Sequence, residues 1–146
     1  MPSVLVALAL AASPAQADPC AKAVTTLDIN ACLAGQMTSV EADLNRYYRA
    51  AVTRLHAEKG EAETQALPSL IKGQRAWLAY RDAECGAVEA YWSGGTIRAS
   101  MALTCRLSVT HLRIFSIWRD WLTYMDSTPP DLPRPDLKPV LAEGER

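Results

Sequence analysis

Residues 74–113 read QRAWLAYRDAECGAVEAYWSGGTIRASMALTCRLSVTHLR, and this stretch decides the fold. Cys85 stands nine residues before Gly94, and Cys105 ten after Gly95. Two helices joined by a short turn at Ser93-Gly94-Gly95-Thr96 bring those cysteines level with each other. A disulfide needs Cα atoms roughly 4.4–6.8 Å apart, which a closely packed antiparallel helical hairpin supplies. A long hairpin stapled by Cys85–Cys105 is therefore expected.

Working outward, Pro68 suits the first turn of a helix running to about Trp92. Ile71, Gln74, Trp77 or Leu78, Arg81, Cys85, Val88 and Trp92 share one side of it. The next helix is expected from about Thr96 to Met125. Its stripe is Ile97, Met101, Cys105, Ser108, Leu112, Phe115 and Leu122, widened by Leu107, Ile114, Trp118 and Trp121. Upstream, Thr38-Ser39-Val40-Glu41 fits a capping box, Lys59 and Gly60 fit a helix end, and Val40, Leu44, Tyr47 or Tyr48, Ala51 and Leu55 keep helical spacing. A short helix capped by Thr25 or Thr26 is expected to stop at Gly35. No segment alternates with the period of a strand. The fold class is all-α: a small disulfide-stapled bundle of about four helices with one long hairpin.

Both ends of the chain differ in kind from its middle. Val4 to Ala12 is an apolar run too short to span a bilayer, and Ala15-Gln16-Ala17 has the small-x-small form of a leader cleavage site. No Lys or Arg precedes the run, but residues 1–17 still read as a signal peptide. Export to the periplasm or the exterior follows, and with it an oxidising setting. Asp18 and Pro19 ahead of Cys20 do not make a lipidation box. Four cysteines then argue for two disulfides, of which three connectivities are possible. The hairpin geometry favours Cys85–Cys105 and leaves Cys20–Cys32. From Ser127 the composition turns Pro-rich, with Pro129, Pro130, Pro133, Pro135 and Pro139, so residues 127–146 read as a flexible tail and 18–126 as the folded domain. A groove-binding proline motif is the sharper, less favoured reading of that tail.

Fifteen Lys and Arg against sixteen Asp and Glu leave a formal net charge of −1. That balance points away from nucleic acid and from strong adhesion to anionic membranes. No stretch of the mature chain has the length and apolarity of a transmembrane helix.

Gln74 and Arg81 fall on the same helical side as Trp77 and Cys85. A guanidinium facing a core needs carboxylates or carbonyls, because unpaired burial costs several kcal/mol. Glu41, Asp43, Asp82 and Glu84 are the candidate partners of Arg81, and Arg113 raises the same question on the next helix. These groups read either as a polar cleft for an anionic ligand or as a satisfied network that fixes which helix faces which. The second reading is the commoner one for such groups.

Leu44-Asn45-x-x-Tyr48, Gln74-x-x-Trp77-x-x-Tyr80-Arg81-Asp82-x-x-Cys85, Gly94-Gly95, Cys105, Thr110 and Arg113 together resemble the bacterial domain named for the LprI lysozyme inhibitor. Cys20 and Cys32, flanking a short Thr-rich helix, also fit that pattern. The resemblance covers nearly all of the mature chain except the Pro-rich tail. It implies a small exported helical domain, adds Asn45 and Tyr48 to Gln74, Arg81 and Arg113 as a polar set, and implies lysozyme inhibition for some of its members.

Parts for an enzyme are missing. His56 and His111 are isolated and supply no zinc ligand set, and no phosphate loop or nucleophile elbow occurs. Asp82 and Glu84 point to different helical faces, which makes them poor acid–base partners. No cofactor or metal is implied, and a non-catalytic binding protein is expected. Tyr91, Trp92, Gly94 and Gly95 are its candidate contact residues, since aromatics beside small residues join contact area to an adaptable backbone. The expected partner is a protein of the cell envelope, with a lysozyme-like glycosidase first. The alternative is a structural or stress-associated module that binds another envelope protein or peptidoglycan.

Overall fold

The computed structural model describes residues 20–137 and 140. The expected leader, residues 1–17, lies outside the described residues. Three helices carry the fold: α1 (Thr26–Glu58), α2 (Leu67–Tyr91) and α3 (Arg98–Trp121), with no strand among the described residues. Thr25 opens α1 with a full capping box. Its Oγ1 accepts from the Asp28 backbone N–H at 3.1 Å, and Asp28 Oδ2 accepts from the Thr25 N–H at 3.3 Å.

The break expected at Gly35 does not occur, which reduces four helices to three. α1 runs through it as one rod of 33 residues. A glycine inside a helix costs about 1 kcal/mol, and packing outweighs that cost here. Leu33 and Met37 both lie against the core, and Cys32 is bonded to Cys20 with Cα atoms 5.8 Å apart. Gln36 Nε2 approaches Cys20 Sγ at 2.8 Å, one turn beyond Cys32. Thr38, expected as a cap, instead donates from Oγ1 to the Ala34 carbonyl at 3.1 Å, a bond made inside a continuing helix.

Lys59 ends α1 at φ 55° and ψ −168°, and Gly60 follows at φ 60°. Residues Ala62–Ala66 then form one π turn that leads into α2. Pro68 gives the reason for the widening. Its ring would meet the carbonyl of Thr64 in an ordinary helix, and it has no N–H to offer that carbonyl.

α1 and α3 are parallel, and α2 is antiparallel to both. Ser100 donates to Asn30 at 2.7 Å at one end, and Arg54 Nη1 donates to the Trp121 carbonyl at 3.0 Å at the other. α3 packs most extensively on α1 and next on α2, whereas α1 and α2 touch sparingly. The stapled hairpin is therefore present, but the larger interface is between the first and last helices. The core joins Val40, Leu44, Tyr47, Ala51 and Leu55 of α1 to Leu67 and Leu70 of α2 and to Leu107, Ile114 and Ile117 of α3.

The inner face of α3 differs from the expected stripe. Ile97 and Leu112 are 41% and 48% exposed, while Ala102, Leu107, Thr110, Ile114 and Ile117 are buried. Tyr47, not Tyr48, is the buried tyrosine of α1.

The tail is not helical through Leu137, as its prolines require, but it is not a loose end either. Tyr47 Oη donates to the Pro133 carbonyl at 2.7 Å, and Trp118 Nε1 donates to the Leu132 carbonyl at 3.0 Å. Leu132 packs on the core, and the Asp131 N–H closes on the Leu122 carbonyl at 2.9 Å. A proline-rich strand offers carbonyls without matching N–H donors, so it suits aromatic side chains that need an acceptor.

Two measurements check this description. Lys59 occupies backbone space that only glycine enters freely, so Lys59→Gly should raise stability by about 1 kcal/mol in chemical denaturation, despite the added freedom of the unfolded chain. Burial holds the Tyr47 hydroxyl above its ordinary pKa. A group raised on folding contributes stability that is present below its unfolded pKa, about 10, and lost above it. Tyr47→Phe should therefore cost about 1 kcal/mol at neutral pH and flatten the alkaline loss of stability.

Candidate functional site

Two regions on the α2–α3 side hold the residues singled out in the sequence. The first is the turn between these helices. Trp92 closes α2, its N–H reaching the Val88 carbonyl at 3.2 Å, and the chain reverses through Ser93 N–H to Ala90 carbonyl (3.1 Å) and Gly95 N–H to Trp92 carbonyl (2.9 Å). Below it, Cys85 and Cys105 are bonded with Cα atoms 5.6 Å apart, and Cys85 is fully buried. The bridge lies about 10 Å below the turn, seven residues at the helical rise of 1.5 Å.

The two glycines are not required by backbone geometry. Gly60 is the only glycine at positive φ among the described residues, a Cβ on Gly94 would meet nothing within 4 Å, and one on Gly95 would make ordinary contacts of 3.6 Å or more. Tyr91 is 83% exposed and packs edge-on to Trp92, with ring centroids 5.6 Å apart; Trp92 is 36% exposed. Tyr91 is thus the more prominent of the two aromatics.

The second region is the polar set. Arg81 Nη1 donates to Glu41 Oε1 at 2.6 Å and to Thr110 Oγ1 at 3.2 Å, so one side chain of α2 reaches α1 and α3 together. Its Nε is buried without a hydrogen-bond acceptor and stands 4.0 Å from Asp82 Oδ1. Arg113 Nε donates to Gln74 Oε1 at 2.9 Å. Both guanidiniums lie over the Trp77 ring, Arg81 at 5.0 Å and Arg113 at 5.9 Å from its centroid. Burial lowers the Arg113 pKa, and the fields of Asp120 and Tyr48 oppose that shift.

The structure brings Gln74, Arg81 and Arg113 together, with Tyr48 close enough for its field to reach Arg113. Asn45 is exposed on α1. Of the candidate partners of Arg81, Glu41 is the one engaged at short range. One residue of this group was not placed in it from spacing, Thr110, and spacing set Trp77 on the right side of α2 without showing that both guanidiniums share its ring. The interval from Leu107 through Thr110 to Ile114 and Ile117 is the sequence signal that puts Thr110 inward.

Beside this network, a shallow cleft of about 230 Å³ opens between α2 and α3, lined by Trp77, Tyr80, Val109, Leu112, Arg113 and Ser116. No group of three or more His, Cys, Asp or Glu among the described residues could hold a metal ion. No described helix is long and apolar enough to cross a membrane.

Residues 17–116 match the family described as Lysozyme inhibitor LprI. The chain belongs to that family. A protein of Rhizobium meliloti (strain 1021), described as uncharacterized, is 32% identical over 118 residues, which span 76% of this chain and 85% of the relative. No solved structure matches the chain significantly. At the level of the LprI family, an inhibitor-like role is supported. The two disulfides fit a protein that folds outside the reducing cytoplasm.

The polar contact has a direct test. Arg81→Met strands Glu41, whose side chain is about one-third exposed, and loses the bond to the buried Thr110. It should lower unfolding stability by about 2 kcal/mol, and a double-mutant cycle with Glu41→Gln should return a coupling above about 0.5 kcal/mol. Additive effects in that cycle would show that the pair does not act as one unit.

Proposed function

We propose that this chain is an exported, non-catalytic binding protein of the cell envelope that inhibits a lysozyme-like glycosidase. Membership of the LprI family carries this reading. The shape of the α2–α3 turn supports it and suggests the contact surface. A glycosidase holds two carboxylates flanking its scissile bond in a substrate cleft, and a narrow, rigid projection can fill such a cleft. The end of α2 offers one: Tyr91 is 83% exposed, on a hairpin whose arms are covalently joined at Cys85–Cys105. A pre-ordered loop loses little entropy on docking, which favours affinity. Net charge contributes little here, since at −1 the chain has no strong field to steer a basic partner.

In this reading residues 1–17 are removed on export and 18–126 make the inhibitory domain, in the periplasm or outside the cell. Tyr91, Trp92, Gly94 and Gly95 form the contact loop. Arg81, with Glu41 and Thr110, holds the arms in register and does not itself meet the glycosidase.

A turbidity assay with peptidoglycan and purified lysozyme tests this. The mature domain should slow lysis in a dose-dependent way. Tyr91→Ala should weaken inhibition at least ten-fold with helical content unchanged, the cost of a hot-spot aromatic being about 2 kcal/mol. Undiminished lysis at a large molar excess of the mature domain would sink the proposal. The structural or stress-associated reading, with another envelope protein or peptidoglycan as partner, would then take its place.

A further inference from the structure

Arg81 and Arg113 share the Trp77 ring, but the surrounding structure answers only one of their charges. Arg81 is matched by Glu41 at 2.6 Å. Arg113 is held at Nε by the neutral amide of Gln74, and no carboxylate among the described residues forms an ion pair with it. Asp120, the acid whose field reaches it, is paired with Arg119 at 2.6 Å. Glu84 lies on the same face of α2 as Tyr80, but one turn nearer the Cys85–Cys105 bridge and farther from Arg113.

This half-buried cation forms one wall of the cleft between α2 and α3, and its neighbours there are the aromatic Trp77 and Tyr80, the aliphatic Val109 and Leu112, and one hydroxyl, Ser116. Tyr80 is 53% exposed and Leu112 48% exposed, on opposite sides of the opening. A cation with its Nε fixed keeps its outer fork in a set orientation, the geometry that matches a planar carboxylate. One unanswered positive charge suits one negative charge. The exposed aromatic and aliphatic walls are more than an isolated anion requires, and they suit the residues that flank an acidic side chain in a polypeptide.

We infer that this cleft receives an Asp or Glu side chain carried on a segment of a protein partner, with Arg113 as the charge anchor and Tyr80 and Leu112 as the apolar walls. The site is separate from the α2–α3 turn and does not depend on the inhibitor reading.

The test follows the Arg113 Nε and Trp77 Nε1 signals of the ¹⁵N-labelled full chain by NMR. The probes are N-acetyl-Leu-Glu-Leu-amide, its Gln counterpart and N-acetylmuramic acid. Saturable shifts are expected with the Glu peptide, and binding about ten-fold weaker with the Gln peptide, as loss of a charge-assisted hydrogen bond implies. Arg113→Gln should abolish the preference for Glu, with its fold checked by circular dichroism. Tyr80→Ala, at an exposed position, should weaken binding without touching the network. Equal response to both peptides, or no saturable shift in the wild-type chain, would overturn the inference. Tighter binding of N-acetylmuramic acid would also overturn it, assigning the cleft to a glycan.

Discussion

A single guanidinium sits where the three helices meet. α1 and α2 have little surface in common, so their relative placement rests on what each makes with α3 and on the Arg81–Glu41 contact at 2.6 Å. The bond from Arg81 to the fully buried Thr110 brings α3 into the same junction. A charge this enclosed tolerates few alternatives. If α2 slid by one turn along α3, Arg81 would leave both acceptors and Cys85 would leave Cys105. The covalent bridge and the ionic contact therefore specify the same register, and neither needs the other to be strong.

That arrangement bears on how the family role and the surface divide. The polar set suggested by sequence does not behave as one site. Arg81 is consumed in holding helices together, whereas Arg113 borders solvent beside Trp77 and Tyr80 with no ion-paired acid among the described residues. Gln74 is buried and accepts from Arg113, and Trp77 is the ring that both cations share. At the far end of the same helices, the turn projects Tyr91 from a backbone that the disulfide keeps in place. Contact surface and structural polarity are thus separated along α2 by about three helical turns.

Much of this was legible in the residue pattern, and the failures share a cause. Val40, Leu44, Tyr47, Ala51 and Leu55 recur at helical spacing with polar residues between them, so the inward face of α1 could be read directly. α3 has apolar residues nearly all round, and periodicity alone cannot choose between Leu112 and Ile114; tertiary packing chose Ile114 and exposed Leu112. Gly35 looked like a stop because local propensity favours one there, but the Cys20–Cys32 bridge and the packing of Leu33 and Met37 override a cost of about 1 kcal/mol. The tail was misjudged because prolines exclude a helix but leave carbonyls of the segment free to accept, and the donors that use those of Pro133 and Leu132, Tyr47 and Trp118, lie 86 and 14 residues away.

The docked tail also moves the physical edge of the domain. The family match ends at residue 116, one position short of Ile117, which is completely buried, and Leu122 and Leu132 follow on the same floor. A fragment trimmed to the matched segment would lack the buried Ile117 and Leu122 and the Pro133 carbonyl that accepts from Tyr47. The matched segment and the packed interior are bounded at different places along the described residues, and the interior reaches farther.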